Sequence, residues 1–393
     1  MPARIPMETN LFDELEDLVR GGRSEAAIAR LCAALREQKD YGNLFYAMLL
    51  KKRHELGVSP VPTEPSQDLP QAIHEPYEDA IRDAGRLVGS LYLEAGDIPR
   101  AWMYFRMLDE PGPVAKALDQ RQLQQDEDVQ PLIEIAYHQG VHPRKGFDWM
   151  LERFGICNAI TTVSGTEFPQ PEIRDYCMKG LIRALYAQLR ERLADDIGQR
   201  EGPVAGEPSV RELISGRDWL FQDDYYHVDV SHLGSVVQMS IHLSPCPELD
   251  LARELCAYGD RLSNRFRSPG DPPFEDPYRD YGIYLQGIAG ADVEGCIAHF
   301  KRKVEQSDPN TIGTYPAEVL VNLLVRLERP AEALEIARHF LGKSDNPRPA
   351  CPGIPQLCRL AGNYSALAEM AREQGDAVHF VAGLLAASTT SKS

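Results

Sequence analysis

The sequence predicts an all-α fold built from helical hairpins, and two observations lead to this prediction. Small and large residues follow one another at the spacing of two helices joined by a tight turn: Gly89, Tyr92, Gly96, Ala101, Phe105 and Pro113. The C-terminal third repeats the pattern more loosely, with Cys296, Ala333 and Leu367 in comparable positions 37 and then 34 residues apart. Because one such hairpin cannot bury its apolar face alone, the pattern predicts stacked neighbours.

The N-terminal region is predicted to contain a helical hairpin followed by another helix. Apolar residues recur every three or four positions after Ser24, a good N-cap residue, and again from Leu44 to Leu49. The segment Pro60–Pro76 then contains five prolines, which exclude a continuous helix. We therefore expect a proline-rich linker before the next helices.

The segment from Gly89 to Pro113 resembles a tetratricopeptide repeat. Its small residues let two helices approach closely, Tyr92 and Phe105 fill the space between them, and the Gly96–Asp97 turn reverses the chain. The match is good over 82–115 and looser over 278–375, and Gly85 stands where the family usually has a Trp. The resemblance implies a degenerate tetratricopeptide-like solenoid of helical hairpins, whose concave face holds a peptide or protein partner.

The middle of the chain departs from repeat spacing. It contains the β-branched run Ile160–Val163, a helix predicted over Glu172–Asp196, a Gly/Pro loop over Gly198–Ser209, and an apolar helix through Val236 and Met239. The C-terminal part returns to hairpins, which are predicted at these segments: Tyr278–Ile288 with Val293–Val304, Ala317–Leu327 with Ala331–Leu341, Ile354–Leu360 with Ser365–Arg372, and a last helix near Ala377–Leu385.

These patterns divide the chain into five regions. They are an N-terminal helical hairpin region at 1–57, a proline-rich linker at 58–76, a tetratricopeptide-like unit at 77–130, an irregular His-rich central region at 131–268, and C-terminal tetratricopeptide-like repeats at 269–388.

Composition narrows the classes of partner. The 393 residues include 42 Lys and Arg against 59 Asp and Glu, a formal charge of −17. Such a field repels phosphate backbones and anionic lipid, so we expect no nucleic-acid or membrane partner. No apolar run reaches the roughly 18 residues of a membrane span. The N-terminus does not read as a signal peptide, and the eight cysteines contain no C-x-x-C pair. We therefore expect a cytoplasmic protein with reduced thiols.

Histidines are dense in the central region. His138 and His142 are four residues apart, a spacing that suits metal ligands on a helix. Gly140 and Pro143 break the pattern, so His142 is expected in a turn rather than on the helix of His138. Glu134, one turn before His138, would share its face and is a candidate general base.

The second histidine cluster is the peptide YYHVDVSH. His227 and Asp229 alternate as in an extended segment and would point to one side, and Ser231 would cap a helix starting at His232. Together with His138 and His142, the ligands His227, Asp229 and His232 would suit one divalent transition metal: zinc, iron or manganese. The alternative is that these histidines are hydrogen-bonded and pack a helical core.

Cys157 is a further candidate, as a nucleophile activated by a distant histidine. The alternative is a small apolar residue where a helix meets a turn. The sequence contains no Walker loop, dinucleotide glycine fingerprint, G-x-S-x-G elbow or H-E-x-x-H.

Two functions follow from these patterns. The first is a helical-repeat binding protein or scaffold for a peptide or protein partner. The second is a metal-dependent enzyme, a hydrolase or an oxidoreductase, which acts on a small-molecule substrate at the central His/Asp site framed by the repeats. A helical enzyme that uses Cys157 without metal is a third alternative.

Overall fold

All regular secondary structure in the described part of the chain is helical. The computed structural model describes residues 9–61, 69–267, 269–342 and 350–390, and none of them forms a β-strand. The chain divides into two compact units, Met1–Arg153 and Phe154–Ser393. The predicted all-α class is therefore confirmed for these ranges.

The described residues of the first unit form helices and shorter helical turns. They are α1 (Thr9–Arg20), α2 (Ser24–Glu37), α3 (Tyr41–Glu55), a 3-10 turn (Gln71–Ile73), α4 (His74–Glu94), α5 (Ile98–Met107), α6 (Gly112–Gln120), α7 (Gln130–Ile133), a π-helix (Glu134–His138) and the first part of α8 (Pro143–Gly165). Helix α8 is interrupted at Gly155 (φ 75°, ψ 178°), two residues beyond the unit boundary.

The hairpin of α4 and α5 forms as its sequence predicts. A Cβ placed on Gly89 would lie 2.7 Å from Cε2 of Phe105, so only glycine allows the helices this close. Gly96 makes the turn with φ 79°. Asp97 then caps α5, because its carboxylate accepts from the backbone N–H of Arg100 at 3.0 Å.

Two details of the N-terminal half differ from the prediction. Ser24 is not an N-cap: α2 begins at Ser24 itself, with Arg23 in the cap position and no side-chain cap bond. Helix α4 begins at His74, inside the predicted linker. Pro76 falls in the first turn of α4, where backbone N–H groups have no helical acceptor, so a proline there does not disrupt the helix. Residues 62–68 of that linker lie outside the described ranges.

The described residues of the second unit form the rest of α8 and twelve further helices: α9 (Pro171–Glu201), α10 (Val210–Ile214), α11 (Val230–Ser240), α12 (Glu248–Gly259), α13 (Pro277–Ile288), α14 (Val293–Gln306), α15 (Pro309–Ile312), α16 (Tyr315–Arg326), α17 (Pro330–Ile336), α18 (Ile354–Leu360), α19 (Tyr364–Gln374) and α20 (Ala377–Thr390). Shorter turns are the 3-10 segments Asp218–Asp224 and Asn264–Phe266 and the π-helix Ala337–Leu341.

Helix α9 is the centre of the irregular region. Its predicted stripe, Cys177, Leu181, Leu185 and Leu189, is fully buried, and α10, α11 and α12 pack against it. The helix continues to Glu201, so the predicted loop starts at Gly202 rather than Gly198. The β-branched run Ile160–Val163 belongs to α8, which shows that its neighbours' helical pattern prevails over its strand propensity.

The C-terminal hairpins lie where the repeat pattern predicts them. Gly287 on α13 faces Cys296 on α14: a Cβ on Gly287 would lie 2.5 Å from the cysteine Sγ. Ala333 and Leu367 are buried in α17 and α19. No helix of the described residues has the length and apolar character needed to cross a bilayer.

Candidate functional site

A cleft of about 550 Å³ opens in the first unit, beside the C-terminal half of α5. Two short stretches of chain line it: Trp102, Arg106, Asp109 and Pro111 from α5 and the turn after it, and Gln139, Gly140 and Val141 from the turn after the π-helix. Trp102 and Arg106 are one helical turn apart, so both face the same side of α5. The volume is within the range of ligand clefts, about 300–1,000 Å³.

The indole of Trp102 is held in place by a chain of side-chain hydrogen bonds. Its Nε1 donates to Oε1 of Gln139 at 2.6 Å, and Nε2 of Gln139 donates to Oε1 of Glu134 at 3.2 Å. Glu134 starts the π-helix and Gln139 follows it, which is the kind of local widening often found at functional sites. Glu134, the predicted general base, therefore positions the tryptophan through Gln139.

Two charged side chains at the cleft are available to a ligand. Arg106 and Asp109 are exposed, and among the described residues neither side chain has a hydrogen bond or ion pair. Asp109 has φ 56°, a left-handed conformation that carries the chain around the end of α5. The carboxylate of the next residue, Glu110, is paired: Arg86 Nη2 donates to it at 2.7 Å, and this hydrogen bond lowers the pKa of Glu110. The cleft thus offers one free cation and one free anion beside an aromatic wall.

The first predicted histidine pair also lies in this unit. His138 is exposed at the end of the π-helix, and His142 follows the turn at Gly140 (φ 74°), so the predicted separation into helix and turn is confirmed. His142 Nδ1 accepts from the backbone N–H of Lys145 at 3.4 Å, and its Nε2 lies 3.4 Å from Oδ1 of Asp119. His142 therefore helps to cap the start of α8.

His227, in the second unit, is buried with only 2% of its surface exposed. Its backbone N–H donates to the hydroxyl of Tyr258 at 2.8 Å, and its Nδ1 lies 3.0 Å from the same hydroxyl. Its Nε2 lies 3.1 Å from Oδ2 of Asp196, an ion contact whose angle is poor for a hydrogen bond. Arg192 donates to the backbone carbonyl of His227 at 2.8 Å.

The Tyr258 hydroxyl accepts from the backbone N–H of His227 and also lies within hydrogen-bond distance of Nδ1, while Nε2 faces Asp196. Burial lowers the pKa of His227, and Asp196 acts in the opposite direction. Burial also raises the pKa of Tyr258, which is fully enclosed. The arrangement matches the alternative interpretation, a hydrogen-bonded histidine that packs a helical core.

Asp229 and His232 do not form the predicted pair with His227. His227 and Val228 are both buried while Asp229 is exposed, so the expected alternation is wrong. Asp229, and not Ser231, is the N-cap of α11: its Oδ1 accepts from the backbone N–H of Ser231 at 2.8 Å and of His232 at 3.2 Å. The hydrogen bond from the Ser231 hydroxyl is the main reason that the pKa of Asp229 is lowered.

Cys157 lies exposed on α8, just after the interruption at Gly155. Its backbone carbonyl accepts from Oγ1 of Thr161 at 3.0 Å, and the amide of Asn158 donates to the carbonyl of Phe154 at 2.9 Å. Within the described ranges, no hydrogen bond or ion pair joins its thiol to a histidine. Its role as a nucleophile stays a prediction.

The metal site stays a prediction as well. Across the residues that the structure describes, no three His, Cys, Asp or Glu side chains form a group that could hold a metal ion. His138 and His142 belong to the first unit, whereas His227, Asp229 and His232 belong to the second.

Sequence reasoning did not find the cleft residues. Trp102 follows Ala101 directly, so the same helical spacing that buries Ala101 turns Trp102 toward the surface, which was the available signal. Its partner Gln139 lies 37 residues away in the chain, and no local pattern predicts that contact. Compared with known protein families, curated sequences and solved structures, the chain gives no significant match.

Proposed function

We propose that this protein is a tetratricopeptide-like helical-repeat protein that binds a peptide segment of a partner protein at the Trp102 cleft. The observation that carries the proposal is the indole of Trp102, fixed by Gln139 and Glu134 at the edge of a cleft with a free Arg106 and a free Asp109. Aromatic side chains held rigidly at a concave surface are typical of binding hot spots.

The hairpin spacing supports the repeat architecture. Close helix contacts through Gly89 and Gly287 recur in hairpins far apart in the sequence, each with a short turn. Helical repeats of this kind commonly use their surfaces to bind extended or helical segments of other proteins. Fold alone does not specify the partner, so the cleft chemistry must define it.

The cleft favours a peptide with an apolar anchor flanked by basic residues. The indole of Trp102, with Pro111 and Val141, offers an apolar wall for an aromatic or aliphatic side chain. Asp109 would pair with a Lys or Arg of the peptide, and Arg106 would donate to a carbonyl or carboxylate of the peptide. The formal charge of −17 adds long-range attraction for a basic segment.

The test is peptide selection followed by two tryptophan variants. Peptides selected from a random library on the full chain should contain an apolar anchor with neighbouring Lys or Arg. In Trp102→Ala, the affinity for a selected peptide should fall about tenfold or more, measured by calorimetry or fluorescence anisotropy.

Trp219→Ala is the matched control. Trp219 is also partly exposed, and its indole also donates to a side-chain oxygen, here Oε1 of Glu201 at 3.0 Å, but Arg200 covers its ring at 4.4 Å. Its substitution should leave binding unchanged. Equal binding by wild type and Trp102→Ala, or selection that yields no binding peptide, would refute the proposal.

No described observation favours the metal-dependent enzyme over this function. Metal analysis of protein purified without a histidine tag tests it directly, and His227→Ala with His232→Ala would release a metal held as the sequence predicts.

A further inference from the structure

Helix α20 presents an apolar face to solvent. Val378, Val381, Leu384 and Leu385 are 77%, 51%, 51% and 64% exposed, respectively. The opposite face of α20 packs on α19, where Gly383 approaches the backbone so closely that a Cβ would lie 2.9 Å from the N of Ala368. These four aliphatic side chains lie together on one short helix, whereas exposed apolar residues on most protein surfaces are scattered singly.

The spacing of these residues is that of a helix–helix seam. Val378, Val381 and Leu385 occupy positions i, i+3 and i+7, the a, d and a positions of a heptad, and Ser388 takes the next d position. Leu384 borders the same stripe. A face with this spacing fits another helix better than it fits an extended strand or a flat surface.

The absence of charged residues on α20 indicates which helix packs against it. From Ala377 to Thr390 the sequence has no Asp, Glu, Lys or Arg, although the whole chain has a formal charge of −17. Two copies of such an acidic chain repel each other at most surfaces, and they can approach with the least repulsion where charge is absent. Helix pairs that must select a different partner use flanking charges for that purpose, and α20 has none.

We propose that α20 is a self-association surface, through which two copies of this chain pair in an isologous dimer. The two α20 helices run antiparallel about a two-fold axis near Val381, so Val378 of each copy lies near Leu385 of the other. The stripe is then removed from water in both copies at once. This surface is separate from the Trp102 cleft, and the dimer does not depend on the proposed peptide binding.

The experiment measures the mass of the full chain in solution. Light scattering or sedimentation should give twice the chain mass of 43.9 kDa at micromolar concentration. In Val381→Glu, which places a like charge on each side of the axis, the dissociation constant should rise about tenfold or more. Leu384→Glu should act in the same direction, and circular dichroism should show unchanged helix content in both variants.

Met103→Glu is the control, because Met103 is 70% exposed on α5, in the other unit. It should dimerise like wild type. Salt gives a second readout. Added salt screens the repulsion between two acidic chains and should strengthen this dimer, whereas it would weaken a dimer held by ion pairs across its interface. A wild-type chain that is monomeric throughout this range, or a dimer that survives Val381→Glu and Leu384→Glu, would overturn the proposal.

Discussion

At the scale of single residues, His227 shows how a candidate ligand can be occupied by the fold itself. The Tyr258 hydroxyl pairs with the backbone N–H and with Nδ1 at 2.8 and 3.0 Å, whereas Nε2 lies 3.1 Å from Oδ2 of Asp196 without a hydrogen bond. A buried imidazole without such partners would cost free energy, because each unpaired polar group loses its hydrogen bonds to water. Burial therefore favours the neutral form of this histidine, and Asp196 acts against it.

The stability of the fold should depend on this histidine below neutral pH. Burial lowers the pKa of His227 in the folded protein, whereas an unfolded histidine titrates near 6.5. As the pH falls below about 6.5, the unfolded chain binds a proton that the folded chain does not, so stability present above that pH is progressively lost. Urea unfolding from about pH 7.5 to pH 5.5 measures this loss.

Replacing His227 by Gln should reduce that pH dependence and lower stability at pH 7.5 by about 1–3 kcal/mol, since the buried network is broken. Part of the slope should remain, because burial also lowers the pKa of His242. His138→Gln, at an exposed site, serves as the control and should keep the wild-type slope. An unchanged slope in His227→Gln would contradict the assignment.

At the scale of helices, the α4–α5 hairpin depends on the close approach at Gly89. Phe105 is buried with 2% exposure, and its ring occupies the space that a Cβ on Gly89 would need. Gly198 on α9 is helical as well, but nothing lies within 4 Å of its Cβ position. The same substitution should therefore have opposite effects at the two sites.

Gly89→Ala should destabilise the protein by about 1–3 kcal/mol through overpacking. Gly198→Ala should stabilise it by about 0.5–1 kcal/mol, since alanine loses less backbone entropy in a helix. Thermal or urea unfolding compares the two variants with wild type. Phe105→Leu in the Gly89→Ala background should recover part of the loss, and a neutral Gly89→Ala would show that the hairpin is looser than its geometry implies.

At the scale of the whole molecule, the excess of acidic residues bears on the proposed peptide binding. With 59 acidic and 42 basic side chains, the field would attract a basic peptide from a distance, and salt screens it over about 8 Å at physiological ionic strength. The association rate of a selected basic peptide should therefore fall as NaCl is raised, while its dissociation rate changes little. Stopped-flow measurements check this.

The salt effect on the α20 dimer should have the opposite sign, so one titration with NaCl distinguishes the two surfaces. An association rate that does not change with salt would show that the charge of the chain plays no part in recruiting the peptide. An acidic peptide of the same apolar sequence is the control, and it should bind more slowly at low salt than at high salt.

The amino-acid sequence by itself determined the helical class and most helix boundaries in the described ranges. Apolar periodicity, Gly96 in its turn and Pro330 at a helix start act over a few residues, so they can be recognised without knowing the fold. The C-terminal hairpins form at the segments that these local signals predict. The proposed tetratricopeptide-like family rests on the same local spacing.

Only the tertiary structure decided which side chains meet. Trp102 finds Gln139 across 37 residues, and His227 finds Tyr258 across 31. Asp229 caps a helix where the sequence suggested Ser231. Such contacts depend on how helices pack, and packing is a sum of many weak interactions that no local pattern contains. The helices could be predicted from the sequence, whereas the cleft and the contacts of the buried histidine depend on how the helices pack in three dimensions.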